Sequence, residues 1–280
     1  MRTVSHTAQW TAAARAIETE KPNPLIQDPF ARYLAEPDGF QLLNKFGGGG
    51  LQEFVAIRTQ FIDDVIDRLV NHGSIRQIVF IAAGMDTRAY RLFWPQDAKV
   101  FEVDYQELHD CKQTKLDQLI THARVDRRIV HADLAQDWLP ALVEQGFDQS
   151  EPVLWVAEAL FFFLTHEQAS HLLHTLYQSS SPGSMLTLDL VNEELLTNPG
   201  AQLFMNSLRS LGIPWLFGTN EPESFLSAHG WQVQVLVEPG EDGAGLAYWP
   251  YPVFPREIQS MPRNWLIQAE IKDNIERLEG

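Results

Sequence analysis

"VFIAAGMDTRAYRL", residues 79–92, opens as an apolar run, turns at Gly84 and passes at once into Asp86, Thr87 and Arg88. A buried strand that opens onto a loop marks a ligand site at the carboxyl edge of a parallel sheet. A dinucleotide requires G-x-G-x-x-G at this point, so that backbone can approach a pyrophosphate at the start of a helix. The corresponding positions here are Ala82, Gly84 and Thr87, and the carboxylate of Asp86 repels a phosphate. The loop therefore predicts a ligand that wants a strand end and a tight turn without a phosphate cradle.

Working outward, short β-rich runs alternate with helical ones: "QIVFIAA", "AKVFEVD", "RRIVHAD", "PVLWVAE" and "SMLTLDLV", with helical stretches near 105–122, 135–145 and 165–178. That alternation predicts right-handed βαβ units and a doubly wound α/β sheet of at least five parallel strands. Upstream, "TAQWTAAARAIETE" (7–20) carries helical spacing and stops at Pro22 and Pro24. A second, short helix is predicted from about Asp28, with Pro29 in its first turn. "GGGG" at 47–50 reads as a hinge before the amphipathic stretch 51–73. Downstream, 193–213 looks helical, 222–230 forms a short helix ending at Gly230, and "WQVQVLVE" and "RNWLIQAEIK" alternate as strands around an irregular aromatic segment.

Composition narrows the function. The chain has 280 residues, 45% of them apolar, enough for one large α/β core with additions. A formal charge of −16, from 37 acidic and 21 basic residues, repels polyanions and anionic membranes, so neither nucleic acid nor membrane is an expected partner. The single cysteine, Cys111, makes no intrachain disulfide, and with no export signal or membrane span legible the chain reads as cytoplasmic. His166, His171 and His174 lack zinc-type spacing and read as a solvated helix face; no metal is expected.

The strand-end rule then selects residues: Ala82 to Thr87 after the first strand, with Ala82, Ala83 and Gly84 as cofactor-binding candidates, Asp104 after the second, Asp133 after the third and Glu158 after the fourth. Glu102 and Asp104 share a face in the pleat, and Asp104, nearer the end, is the better acceptor for a ribose diol. One acid at a strand end serves equally well as a helix cap, but four in register suit a cationic ligand rich in hydroxyls and amines. A phosphate-free nucleoside with a positive charge and an amino acid tail meets that description, and S-adenosylmethionine is such a compound.

These residues also resemble the leucine carboxyl methyltransferase-like group of class I S-adenosylmethionine-dependent methyltransferases, which includes bacterial polyketide O-methyltransferases. The resemblance runs through "TAAARAIETEKPNPLIQDPFA", "VAIRTQFIDD", "AAGMDTRAYRL", "FEVDYQEL" with Lys112 following, "ADL", "VAEALFFFL" and "RNWLIQAEI". It implies a Rossmann-like, mostly parallel seven-stranded sheet. Residues 1–72 would form a helical lid, and 73–280 the core, with substrate-side insertions at about 192–230 and 238–262. It further implies Arg58, and beside it Arg15, at the methionine carboxylate, Asp104 at the ribose, Asp133 with Leu134 at the adenine, Glu158 near the methionine amine, and Tyr105 among the cofactor-binding residues. Two departures stand out. Ala82 replaces a usual glycine, so either cofactor affinity falls or the turn shifts to negative φ. Ala159 and Phe163 stand where the family often has Gly and Tyr, which removes a hydroxyl from the substrate side.

The expected function is O-methylation of a carboxyl or hydroxyl group on a small, largely apolar secondary metabolite. A protein C-terminal carboxyl methyltransferase and a non-catalytic S-adenosylmethionine-binding protein are the alternatives. Phe161, Phe162, Tyr248, Trp249 and His6 are expected to line the acceptor pocket. No residue has the signature of a general base: His6 and His109 lie close to the predicted site in sequence, and each reads as structural or solvated.

Overall fold

The computed structural model describes residues 4–46, 48–119 and 121–272. Three helices lead the chain: α1 (Val4–Thr19), α2 (Ala31–Phe46) and α3 (Leu51–Ile66). The alternating region follows as β1 (Gln77–Ile81), α4 (Arg88–Arg91), β2 (Lys99–Asp104), α5 (Gln106–Gln118), β3 (Asp126–His131), α6 (Leu139–Glu144), β4 (Val153–Ala157), α7 (His166–Gln178) and β5 (Met185–Val191). The chain closes with α8 (Glu193–Thr197), α9 (Gln202–Ser210), α10 (Pro222–Ala228), β6 (Trp231–Val237) and β7 (Asn264–Ile271).

The strands form one seven-stranded sheet in the order β3-β2-β1-β4-β5-β7-β6. β1 to β5 run parallel, and β7 is antiparallel to both β5 and β6. This is the doubly wound, seven-stranded arrangement expected from the sequence. The order reverses between β1 and β4, which opens a crevice beyond their carboxyl ends.

Period-two alternation splits the core between the two faces of the sheet. Ile78, Phe80, Leu154 and Val156 pack toward α1 and α3, whereas Val79, Ile81, Val153, Trp155 and the leucines 186, 188 and 190 pack toward α7 on the other face. Both β1 and β4 are buried along their whole length, as central strands covered on two sides must be. Among the described residues, no helix is long and apolar enough to cross a membrane.

Two local features differ from the sequence reading. α2 is longer than predicted and is broken at Glu36 (φ 54°, ψ 167°), because Pro37 excludes the helical conformation from the residue before it. In the "GGGG" segment, Gly47 lies outside the described residues, and Gly48–Gly50 form a turn into α3. Gly50 is left-handed (φ 84°), and a Cβ there would lie 2.6 Å from the ring of Tyr251 and 2.7 Å from that of Trp249. Glycine at position 50 therefore serves close packing as well as chain reversal.

Candidate functional site

The turn after β1 is built around Asp104. Ala82 leaves the strand with φ 55°, Gly84 follows at φ 51°, and the Ala83 N–H donates to the Val103 carbonyl at 3.1 Å. Asp104, at the end of β2, accepts from the N–H of Gly84 on Oδ2 and from the N–H of Tyr105 on Oδ1, each at 2.7 Å. Burial pushes its carboxyl above the usual aspartate value, and the two N–H donors partly offset this. A fixed carboxylate with lone pairs left over is suited to accept from a diol.

The Tyr105 hydroxyl donates to Asp133 Oδ1 at 3.1 Å, and the Ala135 N–H donates to the same oxygen at 3.0 Å. Asp104 and Asp133 are thus tied to one rim through a single tyrosine. Leu134 and Trp138 line the cleft beside them.

On the opposite side of the turn lies a buried charge network. Arg58, from α3 and 3% exposed, donates through Nε to Glu158 Oε1 at 3.0 Å and through Nη1 to Asp189 Oδ2 at 2.9 Å. Its Nη2 makes no hydrogen bond to a described residue. Arg88 Nη1 donates to Glu158 Oε2 at 2.8 Å and also to Asp86. Burial raises the Glu158 carboxyl, but the guanidinium groups of Arg88, Arg58 and Arg15 outweigh it and bring it down to about 2. Asp86 is held by the backbone N–H and the side chain of Arg88, so it braces the turn as well as repelling anions. Arg15 bridges Asp28 at 2.9 Å and the Met85 carbonyl at 2.6 Å, fastening α1 to the loop.

A cleft of about 900 Å³ runs over this rim. Arg15, Arg58, Ala82, Ala83 and Gly84 line it, as do Asp104, Tyr105, Asp133, Leu134, Glu158 and Phe162. The turn at Ala82 has not moved to negative φ: alanine occupies the left-handed conformation itself, and so does Ala159, also at φ 55°.

Three residues expected at the acceptor wall lie elsewhere. Phe161 is fully buried in the core on the α7 side of the sheet, because successive residues of the 3-10 turn Phe161–Phe163 point in different directions. The Tyr248 hydroxyl donates to Glu18 and accepts from Lys21 Nζ at 2.5 Å, clear of the cleft. Trp249 packs against Gly50 and Gly240, outside the cleft lining. The side chain of His6 lies outside the described residues.

The aromatic wall comes instead from Trp10 on α1, Phe54 on α3, Phe162 and Phe163, and Trp215 in the segment after α9. Four of these rings are continuous: Phe163 and Phe162 are 4.8 Å apart, Phe162 and Trp215 4.2 Å, and Phe204 bridges Trp215 (5.3 Å) to Trp10 (5.7 Å). His109 is buried beside His131, outside the cleft lining, whereas His171 of α7 contributes to the wall.

Comparison with known proteins agrees with this geometry. Residues 8–177 match the family described as leucine carboxyl methyltransferase. A protein of Mycobacterium avium (strain 104), described as "Putative S-adenosyl-L-methionine-dependent methyltransferase", is 34% identical over 84% of this chain and 85% of its own length. One of Mycobacteroides abscessus with the same description is 33% identical over 96% of this chain and 94% of its own. Among solved structures, a DUF574 family protein from Streptomyces avermitilis superposes with a TM-score of 0.63 at 16% identity, covering 95% of this chain and 97% of that one. A Thermobifida fusca YX structure titled as a putative methyltransferase gives 0.61 at 17% identity, covering 95% and 94%. At these identities the two structures bear on the fold alone.

Proposed function

The chain belongs to the leucine carboxyl methyltransferase family, and on that premise we propose that it is an O-methyltransferase acting on a small, largely apolar metabolite. The protein is an S-adenosylmethionine-dependent methyltransferase; the oxygen acceptor and its size are the proposed part.

The described residues fit the cofactor. Asp104, oriented by two backbone donors, would hold the ribose hydroxyls, and Asp133 with Leu134 would hold the adenine. Arg58 has a terminal nitrogen to offer a carboxylate, and Glu158, kept ionised by its arginines, suits an ammonium group. S-adenosylmethionine supplies an electrophilic methyl group on a sulfonium centre.

The single observation that carries the acceptor reading is the aromatic wall of Trp10, Phe54, Phe162, Phe163 and Trp215, continuous with the charged rim in one cleft. Transfer from a sulfonium to an oxyanion removes two opposite charges, so a wall that excludes water and holds the reactants in line accelerates it. A carboxylate acceptor is already ionised at neutral pH and asks nothing more of the protein, whereas a hydroxyl requires a proton acceptor.

Incubation with methyl-labelled S-adenosylmethionine and fractionated small-molecule extracts tests the reading. Label is expected in organic-soluble products, and mild alkali separates methyl esters, which release labelled methanol, from ethers, which do not. Label confined to polypeptide would overturn the small-molecule reading in favour of a protein carboxyl terminus. Tight binding of S-adenosylhomocysteine without transfer to any acceptor would overturn catalysis itself.

A further inference from the structure

We propose that Asp189 is a positioning residue for the cofactor, acting through Arg58 at the methionine end of the site. The proposal rests on the placement of the cofactor given above and adds a residue outside the cleft lining.

Asp189 lies near the end of β5, 1% exposed, on the opposite face of the strand from Leu186, Leu188 and Leu190. Its two oxygens serve two elements of the rim. Oδ2 accepts from Arg58 Nη1 at 2.9 Å, and Oδ1 accepts from the N–H of Ala159 at 2.6 Å. Ala159 is the left-handed residue directly after Glu158, so one carboxylate braces both the arginine and the turn that carries the arginine's other partner.

The guanidinium plane explains why this matters. Arg58 has donors on Nε, Nη1 and Nη2, and Glu158 takes the first at 3.0 Å while Asp189 takes the second. The ring of Phe54 lies 5.3 Å from the guanidinium carbon and packs on the group from one side. With Nε and Nη1 fixed, the direction of Nη2 is fixed too, and Arg58 forms part of the cleft wall. A planar donor held at two corners presents its third without losing rotamer freedom on binding. Without Asp189, only Glu158 would direct the group, and the guanidinium would be free to swing about that contact.

The test compares two nucleosides that share an adenosyl group and differ in the amino acid tail. Affinities for S-adenosylhomocysteine and 5′-methylthioadenosine are measured by calorimetry on the wild type, Asp189→Asn, Arg58→Met and the double variant. Asp189→Asn is expected to weaken S-adenosylhomocysteine by about tenfold or more, the scale of a charge-assisted contact, and to leave 5′-methylthioadenosine unchanged. In the Arg58→Met background, the same substitution should have no further effect on either ligand. A second variant, Asp189→Glu, keeps the charge but displaces it by a methylene and should show the same selective loss, guarding against failure of the asparagine variant to fold. Equal weakening of both ligands, or of neither, by folded variants at 189 overturns the proposal. If the wild type itself makes no distinction between the ligands, the placement of the methionine tail on Arg58 fails, and the proposal fails with it.

Discussion

Ala82 and Ala159 both lie in the left-handed φ region, at 55° each, just beyond the carboxyl ends of the hydrogen-bonded neighbours β1 and β4. A side chain in that region costs about 1–2 kcal/mol relative to the right-handed one, of which glycine's greater freedom when unfolded cancels about 0.4–1 kcal/mol. Ala82→Gly and Ala159→Gly are each expected to stabilise the protein by about 0.5–1 kcal/mol, which for a chain of this size raises the melting temperature by roughly 1–4 °C. A lower melting temperature in either variant would contradict the strain assigned here.

The neighbouring phenylalanines separate a core role from a pocket role. Phe161→Ala opens a cavity in the α7-side core and should cost about 3–5 kcal/mol with little change in acceptor KM once folded protein is compared. Phe162→Ala, by contrast, removes cleft wall beside Trp215, and should raise acceptor KM by about tenfold or more with unchanged affinity for S-adenosylhomocysteine. Matching effects from the two substitutions would contradict the placement of the rings.

His109 gives a pH signature. It is 2% exposed, neither ring nitrogen has a hydrogen-bond partner among the described residues, and burial brings its pKa down from 6.5 to about 4, with Lys112, Arg127 and His131 adding to the effect and Glu102 opposing it. The folded state therefore resists a proton that the unfolded chain accepts. Stability from this source is complete above the unfolded value and is lost as pH falls from 6.5 toward 4, by up to about 3 kcal/mol. Glu102 and Glu158, both brought down to about 2, lose their contributions only below about pH 4.5. Denaturant melts of His109→Leu should flatten the stability profile between pH 4.5 and 6.5 and leave the steeper acid limb intact. An unchanged slope in that window would contradict the assignment.

The Tyr248 hydroxyl joins the segment before β7 to α1 through fully buried Glu18, which also accepts the Leu25 N–H at 2.7 Å. Tyr248→Phe removes one donor from Glu18 Oε2, which keeps Lys21 Nζ at 2.8 Å, and should cost about 0.5–1.5 kcal/mol, while acceptor KM stays as in the wild type because the ring is outside the cleft lining. A raised KM at unchanged stability would return Tyr248 to the acceptor wall.

Much of this architecture was legible in the sequence, for identifiable reasons. Apolar runs with turn signals place β1 to β5, and the topological rule leads from them to Asp104, Asp133 and Glu158 without reference to contacts. Asp189 left a fainter trace: a carboxylate inside the run "MLTLDLV", on the face shared with Thr187, where a buried strand ordinarily carries no charge. The topological rule does not reach it, because that rule selects positions beyond the strand end. The triplet "FFF" cannot assign its own directions, since a short 3-10 turn sends neighbouring rings to different sides. Trp10, Phe54 and Trp215 meet only through long-range packing, so local pattern carries no record of their convergence. The aromatic composition around Tyr248 and Trp249 points toward an acceptor wall, whereas their partners Glu18 and Gly50 are far away in the chain.

The central claim is that the Asp104 carboxylate, fixed by the N–H groups of Gly84 and Tyr105, grips the sugar of the bound cofactor. Calorimetric titration of S-adenosylhomocysteine into the wild type and Asp104→Asn tests it most directly. The wild type should bind, and the asparagine variant, compared as folded protein below its melting transition, should bind at least about thirtyfold more weakly, as expected when a charged acceptor is lost. Equal affinity in the two proteins would contradict it.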